Sequence, residues 1–390
     1  MAHVQELIAQ GNHYRSIPDP VNALACYAQA FLQDPNLGAA YNNYGNVIRE
    51  MGFPERAYGF LNNAMDIDPN DSVANFNLAV AYLLAGDLKR GWPQYEKRWS
   101  FEHLAGTLPN FKQPRWEGQT DLAGKTILIT GEQGHGDTIQ FIRFVEQLSS
   151  FGAKCIIVAD LNISPLLRQN ILPPHEIRDL NNLIDTDKEP FDYWTPIMSI
   201  PMYLGIDDYS KLPQKLQYLA ASKESQEVWA KRLGKKWKLR VGFCWSGRPD
   251  TWINQHKAVP FEKMLGLITR NPEYEWINLQ VSCSPENEAE LVRAGVKSYP
   301  GTINSFADTA GLMNHCDVVI SVDTSVGHLA GAMGRPWWLP LNLFGQDWRY
   351  LLNREDCPWY PSCRLFRQPN IGNWDVPLER IHNNLKLFKI

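Results

Sequence analysis

The residues with the clearest chemical potential follow a short apolar run near the carboxyl end of the chain. Residues 318–320 (Val-Val-Ile) predict a strand that is buried on both faces. Asp323, Thr324 and Ser325 come directly after it, and residues 326–333, rich in Ala and Gly, predict a helix. The pattern therefore places a hydroxyl-rich turn at the start of a helix.

A helix that begins at such a turn suits an anionic ligand. Its first backbone N–H groups lack partners within the helix and lie at the positive end of the helix dipole, so a phosphate or pyrophosphate can bind there. His328 lies one turn inside the predicted helix, close enough to donate to the same anion. The alternative is that Asp323 or Thr324 only caps the helix, which is a common structural role of these residue types.

A glycine-rich turn offers a second polar group. It lies between a predicted strand, residues 126–130, and a predicted helix, residues 138–151. Its three glycines are spaced G-x-x-G-x-G, whereas dinucleotide-binding turns are spaced G-x-G-x-x-G, which argues against a nicotinamide or flavin cofactor. Asp137 in this turn either accepts a proton from an incoming hydroxyl or simply supplies a favourable negative charge at the helix start.

The composition is that of an ordinary water-soluble globular chain. With 390 residues the chain can form two or three domains, and a formal charge of -4 gives no general bias toward nucleic acid. The seven cysteines are odd in number and lack metal-binding spacing, which argues against a disulfide framework and predicts reduced thiols in a cytoplasmic protein. Neither a secretion signal nor a membrane span is predicted, because no apolar run is long enough.

An internal repeat of 34 residues organises the first quarter of the chain. Residues 34–36 (Asp-Pro-Asn) recur as residues 68–70, and small residues recur at the same interval. The pattern strongly resembles three tetratricopeptide repeats over residues 4–99, in which small residues let paired helices pack closely. Such an array presents a concave groove, so we expect it to bind a protein partner; the alternative is a solubilising or dimerising appendage.

The third repeat departs from the pattern near its end. Pro93 interrupts the predicted helix, and Trp92, Tyr95 and Trp99 supply bulky apolar surface. We expect these aromatic residues to cap the array and to dock it on the carboxyl-terminal part of the chain. Residues 100–124, rich in Pro and Gly, are interpreted as a linker.

From residue 125 onward, strands and helices alternate, which predicts parallel sheets with ligands at the carboxyl ends of the strands. Two such series predict an α + α/β protein, namely an N-terminal tetratricopeptide α-solenoid followed by two Rossmann-like domains. The predicted boundaries are 1–99 for the repeats, 100–124 for the linker, 125–221 for the first Rossmann-like domain and 222–390 for the second.

Three segments carry a resemblance to a known group of enzymes. They are residues 131–144 (GEQGHGDTIQFIRF), 241–260 (VGFCWSGRPDTWINQHKAVP) and 321–352. The chain resembles glycosyltransferases of the heptosyltransferase superfamily, particularly those fused to tetratricopeptide repeats. The resemblance implies a GT-B arrangement of the two domains, metal-independent chemistry and sugar transfer with inversion from a nucleotide-sugar donor.

The resemblance also implies roles for individual residues. Asp137 matches the catalytic base, and Lys257 matches the basic residue that binds donor phosphate, with Arg248 and His256 as its neighbours. The donor-binding residues implied in the second domain are Asp323, Thr324, Ser325 and His328. Additional candidates for the cleft are Gln133, His135, Ser246, Gln346, Asp347 and Arg349.

The chain departs from the family pattern in two places. Residues 253–257 (Ile-Asn-Gln-His-Lys) stand where many repeat-fused relatives have Asn-Asp-Arg with a following Arg, so the phosphate clamp is altered. The first Rossmann-like domain is shorter than in lipopolysaccharide heptosyltransferases, which disfavours a lipid acceptor.

The sequence therefore predicts an inverting glycosyltransferase that moves a sugar to a protein acceptor held by the repeats, such as flagellin or another surface protein. The nucleotide sugar is a co-substrate, and no cofactor or metal is expected. The alternatives are a saccharide or lipid glycosyltransferase and a non-catalytic protein-binding scaffold.

Overall fold

The computed structural model describes residues 2–101, 104, 107–132, 134–180, 190–247 and 252–388. Within these residues, paired helices are followed by two sheets flanked by helices. The predicted combination of a helical amino-terminal region and a mixed helix–sheet region is therefore confirmed. The finer assignment to two Rossmann-like domains in a GT-B arrangement stays a prediction, as do the domain boundaries.

Six helices form the repeat region, and each packs on the next along the chain. They are α1 (Ala2–Ser16), α2 (Pro20–Gln33), α3 (Gly38–Glu50), α4 (Pro54–Ile67), α5 (Ser72–Leu84) and α6 (Leu88–Tyr95). Small residues lie where the paired helices touch. A Cβ on Gly11 would lie only 2.4 Å from a ring carbon of Tyr27, so glycine permits this contact. Ala23 and Ala57, one repeat apart, are fully buried.

The end of the third repeat docks on the rest of the chain. Pro93 lies inside α6, which ends two residues later and continues as a 3₁₀ turn, Glu96–Ser100. The indole N–H of Trp92 donates to the carbonyl of Ile206 at 2.7 Å, and the ring meets that of Trp348 edge-on with centroids 5.5 Å apart. The expected docking role of Trp92 is confirmed, because its ring contacts both sheet regions.

The first sheet has four parallel strands in the order β3-β2-β1-β4. Its elements are β1 (Thr126–Thr130), α7 (His135–Phe141), α8 (Val145–Ser150), β2 (Lys154–Ala159), α9 (Ser164–Asn170), β3 (Glu176–Asp179), β4 (Tyr193–Pro196) and α10 (Ile200–Tyr203). Helix α7 begins three residues earlier than predicted, so Asp137 lies within its first turn. Part of the predicted linker extends this sheet, since Arg115 pairs with Trp194 in parallel.

The second sheet has six strands in the order β6-β5-β7-β8-β10-β9, of which only β9 runs antiparallel to its neighbour. Its elements are α11 (Lys223–Leu233), β5 (Arg240–Cys244), α12 (Trp252–Lys257), α13 (Phe261–Thr269), β6 (Glu275–Asn278), α14 (Pro285–Arg293), α15 (Phe306–Met313), β7 (Val318–Ser321), α16 (Ser325–Ala332), β8 (Trp337–Leu341), β9 (Asp356–Cys357), β10 (Tyr360–Arg367) and α17 (Asp375–Leu387).

The central strands of both sheets are almost wholly apolar and buried, which is why they form continuous hydrophobic runs in the sequence. Polar residues begin where each strand ends. The turns after β1, β2, β5, β6 and β7 all contribute to one cavity, as expected at the carboxyl ends of parallel strands.

Candidate functional site

A cavity of about 520 Å³ lies between the two sheets. Gly134, His135 and Gly136 line it from the first sheet, together with Asn162 after β2. The second sheet contributes most of the remaining wall, including Lys257, Asp323, Thr324, Ser325 and Ser246. The structure thus brings the two polar turns that the sequence singled out to the same space.

Asp323 is the centre of a buried polar cluster on the second-sheet side. Its carboxylate accepts hydrogen bonds from the ammonium of Lys257 and, at 2.5 Å, from the hydroxyl of Tyr350. Its side chain is 5% exposed and that of Lys257 is 15% exposed. Burial alone would raise the pKa of Asp323, but Lys257 holds this pKa well below its usual range. The pair is therefore ionised at neutral pH.

His328 lies one helical turn beyond this cluster and is buried. Its Nδ1 is 2.9 Å from the hydroxyl of Tyr360, and its Nε2 is 3.6 Å from Asp323 Oδ1. Burial lowers the pKa of His328 to about 4, and Asp323 only partly opposes this shift. The imidazole is therefore neutral at pH 7 and can donate one hydrogen bond.

Helix α16 begins at the cavity wall. Thr324 is its N-terminal cap residue in an extended conformation, but its side chain makes no capping hydrogen bond. The Thr324 hydroxyl is instead 3.2 Å from that of Ser321. The first backbone N–H groups of an eight-residue helix are thus not occupied by a side-chain cap, which leaves them available to an anion.

Asp137 lies in the first turn of α7, next to Gly136, which lines the cavity. Its Oδ1 accepts a 2.5 Å hydrogen bond from Arg349 Nη2, and 17% of its side chain is exposed. A Cβ on Gly134 would lie 3.4 Å from Asp137 Oδ2, so this oxygen lies close to a glycine that lines the cavity. Burial raises the pKa of Asp137 to about 6, against the opposing effect of Arg349.

The two helices that carry these groups touch directly. A Cβ on Gly136 would lie 2.7 Å from His328 Cδ2, so only glycine allows α7 to approach α16 this closely. The neighbouring Glu132 is held by the buried guanidinium of Arg98, with nitrogen–oxygen distances of 2.9 and 3.1 Å. The turn of the first sheet is thereby fixed both by the second sheet and by the end of the repeats.

The other cleft candidates have different positions. His135 lines the cavity and its Nε2 is 3.1 Å from Asp160 Oδ1. The Ser246 backbone N–H donates to Gln280 Oε1 at 3.1 Å, at the opposite wall. His256 packs edge-on against Phe344, with ring centroids 5.9 Å apart, and is not part of the cavity wall.

The segment after β8 is turned mostly into the protein. Gln346 accepts a hydrogen bond from Arg367 and donates to the Leu343 carbonyl. Asp347 caps the 3₁₀ turn Trp348–Tyr350 and pairs with Arg349. Two candidates, Gln133 and Arg248, lie outside the described residues.

Three residues of the site were not identified from the sequence. Tyr350 binds Asp323, Asn254 Oδ1 accepts from the Gly247 N–H at 2.7 Å, and Gln280 accepts from Ser246. Gln280 had a usable signal, because it follows β6 at the same sheet edge as the other polar turns. Tyr350 had none, since an aromatic residue in an apolar segment is more often part of a core.

Part of the second-sheet region matches a family of glycosyltransferases. The sequence profile of glycosyltransferase family 9 (heptosyltransferase) matches residues 275–347, which run from β6 through the Asp323 turn to Asp347. Protein FlbA of Caulobacter vibrioides is 27% identical over 96% of this chain. The chain spans 65% of the length of that relative.

Two solved structures are similar to part of this chain. A family 9 glycosyltransferase from Veillonella parvula is 13% identical, with a TM-score of 0.49, and the match covers 68% of this chain and 97% of that one. The ADP-heptose lipopolysaccharide heptosyltransferase II of E. coli is 15% identical, with a TM-score of 0.47, and covers 67% and 98%.

The chain therefore resembles a repeat-fused glycosyltransferase of the heptosyltransferase-like superfamily, as the sequence predicted. The family 9 match supports glycosyl transfer as its chemistry. Among the described residues, no three His, Cys, Asp or Glu side chains are grouped as metal ligands. No helix in the described part of the chain is both long and apolar enough to cross a membrane.

Proposed function

We propose that this protein is an inverting, metal-independent glycosyltransferase that uses a nucleotide-sugar donor and modifies a protein acceptor. The observation that carries the proposal is a largely buried carboxylate next to a cavity whose other side offers a lysine and the start of a helix. Asp137 lies next to Gly134 and Gly136, which line one side of the cavity, and Lys257 with the start of α16 lines the other.

The second-sheet wall supplies what a departing nucleotide diphosphate requires. Lys257 provides positive charge, and the first N–H groups of α16 provide donors with the favourable end of the helix dipole. Asp323 holds the ammonium in place through their hydrogen bond. Neutral His328 lies beside Asp323, behind this wall. Charge developing on the leaving group would thus be stabilised by groups that are already oriented.

Asp137 supplies the proton acceptor. A hydroxyl is a weak nucleophile, so transfer is accelerated when a base takes its proton as the new bond to the sugar forms. A carboxyl with a pKa of about 6 is ionised at pH 7 and is more basic than an ordinary aspartate. The hydroxyl oxygen attacks the anomeric carbon from the face opposite the diphosphate, the bond to the diphosphate breaks, and the proton passes to Asp137.

The repeat region supports a polypeptide acceptor. Amide side chains of Asn12 on α1 and Asn43 on α3 lie next to each other, 3.2 Å apart, and neither is fully buried. The Gly345 N–H donates to the carbonyl of Glu50 at the end of α3, so the array borders the segment that contacts Asp137. A chain held by the repeats would thus lie beside the cavity. The choice of flagellin stays a prediction.

A non-catalytic scaffold is the second candidate, and one observation favours it. Both charged groups assigned to catalysis already have partners, since Asp137 is bound by Arg349 and Lys257 by Asp323. In a scaffold these ion pairs would be structural only. The two candidates differ in whether a nucleotide sugar binds and whether Asp137 matters for turnover.

A thermal-shift screen across nucleotide sugars is the first test. A donor present at 100 times its Kd stabilises the folded protein by about 2.7 kcal/mol, which is readily measured. With the donor identified, Asp137→Asn is expected to leave its Kd within a few fold and to reduce transfer by about 10² to 10⁴-fold. The transfer rate of the unmodified enzyme is expected to fall as the pH drops through about 6, because protonation removes the base.

Asp192→Asn is the matched control. Its carboxylate binds Lys125 and the Thr126 N–H at the other end of β1, away from the cavity. Full turnover in a folded, donor-binding Asp137→Asn protein would exclude the proposed base. Absence of stabilisation by any nucleotide sugar would favour the scaffold.

A further inference from the structure

Arg349 makes an unusual set of contacts for a residue in a connecting segment. It follows β8 within the 3₁₀ turn Trp348–Tyr350, and its side chain is only 6% exposed. Nη2 binds Asp137 Oδ1 at 2.5 Å, Nη1 binds both carboxylate oxygens of Asp347 at 3.0 and 3.1 Å, and Nε binds Gln140 Oε1. One guanidinium therefore links the second-sheet segment to two residues of α7.

We propose that Arg349 is the positioning residue of the catalytic base and that the repeat array holds Arg349 in place to do this. The proposal rests on the function proposed above, because it assigns Asp137 the role of base. It adds that the base is completed by a residue from the other sheet region and by the repeats.

The geometry of the ion pair leaves one carboxylate oxygen for chemistry. Arg349 occupies Oδ1, while Oδ2 lies close to Gly134, which lines the cavity. A planar guanidinium held by three partners cannot rotate freely, so it restrains the carboxylate more tightly than a lysine ammonium would. Arg349 thus fixes the position of Oδ2 beside a glycine that lines the cavity.

The charges around Asp137 show what Arg349 contributes. Burial and three surrounding carboxylates all favour the protonated form of Asp137, and Arg349 is the cation that opposes them. Glu132 lies on the same turn and is paired with Arg98, Asp347 lies beside Arg349, and Asp323 lies across the cavity. Among the described residues, other titratable groups near this cluster include neutral His328, which touches Gly136, and the phenol of Tyr95, whose pKa burial raises. Lys257 also acts electrostatically on Asp347 and Arg349.

The repeats support the segment that carries Arg349. The Gly345 N–H donates to the Glu50 carbonyl at 3.0 Å, and Trp348 packs edge-on against Trp92. From the other side, Arg367 Nη2 donates to the carbonyls of Tyr350 at 2.7 Å and Leu351 at 3.0 Å. Arg349 is therefore held between the repeat array and the last long strand of the second sheet.

The test is a direct titration of Asp137 that needs no donor. The full-length chain is labelled with ¹³C at the aspartate carboxyl carbons, and the Asp137 signal is assigned as the one lost in Asp137→Asn. Arg349→Gln removes the cation and is expected to raise the pKa of Asp137 by at least one unit. Asp347→Asn removes a competing carboxylate but retains a capping oxygen for the 3₁₀ turn, and is expected to lower that pKa.

Arg364→Gln is the control. Arg364 is an exposed arginine on β10 that pairs with Glu355 and Asn384, so its loss is expected to leave the Asp137 titration unchanged. General loosening of the fold would move both test variants in the same direction, whereas positioning by Arg349 moves them in opposite directions.

An Asp137 pKa within 0.3 units of the unmodified protein in Arg349→Gln would overturn the proposal. If Arg349→Gln does not fold, Asp347→Asn decides, since an unchanged or raised pKa there contradicts the proposal equally. This outcome is separate from that of the proposed function. Full turnover in Asp137→Asn would remove the assignment of Asp137 as the base. An unchanged Asp137 pKa in the test variants would remove only the role of Arg349.

Discussion

Replacing Lys257 by Met tests whether the donor wall is built on a buried ion pair. The sequence places Lys257 in a polar turn, where its loss would hardly affect folding. The structure instead buries its ammonium against Asp323, whose side chain is 5% exposed. Of its partners among the described residues, the carboxylate in Lys257→Met keeps the Tyr350 hydroxyl and a neutral His328. The variant should therefore be destabilised even without donor.

The size of this effect can be bounded in two ways. Removing one partner of a buried ion pair typically costs about 3 to 5 kcal/mol. The protein can limit the cost by protonating Asp323. Because pH 7 lies about 3 units above the ordinary pKa of an aspartate, this protonation costs roughly 4 kcal/mol. We therefore expect Lys257→Met to lower the free energy of unfolding by about 3 to 4 kcal/mol at pH 7.

The pH dependence gives the prediction a sign. In the unmodified protein the depressed pKa of Asp323 stabilises the fold at every pH above the ordinary pKa of an aspartate. This stabilisation is lost only as the pH falls toward the folded-state pKa. In Lys257→Met the unpaired, buried carboxyl has a raised pKa, so the variant recovers as the pH falls. At pH 5 protonation costs only about 1.5 kcal/mol, and the difference between the two proteins should shrink to that size.

Urea unfolding at pH 7, 6 and 5 measures this directly. Lys236→Met is the matched control, because Lys236 pairs with Asp317 at a more exposed position and should cost no more than about 1 kcal/mol. Adding Asp323→Asn to Lys257→Met should restore part of the loss, since no unpaired charge then remains. A loss below about 1 kcal/mol at pH 7, or one that does not change with pH, would refute the reasoning.

Two further substitutions test the contacts that shape the site. Gly136→Ala places a Cβ 2.7 Å from His328, so it should lower the free energy of unfolding by about 1 to 3 kcal/mol and reduce transfer. The control Gly266→Ala has open space around it and should be stabilising, and equal stability of the two variants would contradict the close approach of α7 to α16. Trp92→Ala should lower the free energy of unfolding measured in urea by about 3 to 5 kcal/mol, because Trp92 is buried. Trp237→Ala, at an exposed position, should change it by no more than about 0.5 kcal/mol, and a small loss at Trp92 would mean that the repeats dock elsewhere.

The two polar turns could be predicted because local signals determine them. Residues 318–320 are apolar without alternation, as buried parallel strands require, and the residues after them change abruptly to Asp-Thr-Ser. The strand of residues 126–130 has the bounds that its β-branched composition predicts. Both turns then fall at the carboxyl ends of strands, which is where parallel sheets place ligands.

The partners of these turns could not be predicted, because they depend on contacts between distant segments. The sequence around Arg349 does not indicate whether its partner is the nearby Asp347 or Asp137, which is more than 200 residues away. In the structure Arg349 binds both carboxylates. The sequence predicts the start of α7 three residues late, because glycines at 134 and 136 weaken the helical pattern there. The reason for Gly136 appears only when His328 is seen against it.

The same long-range contacts change what the repeat array does. As an independent acceptor-binding module, it could be removed with little effect on the cavity. Arg98, at its end, is instead buried against Glu132 in the turn that carries Asp137, and Trp92 packs on the segment that carries Arg349. Removing the array would uncover both groups and release the base from two sides. In the proposed function, an acceptor that shifts the repeats would therefore change the orientation of Asp137 through Arg98 and Arg349, and acceptor binding would be coupled to the readiness of the base.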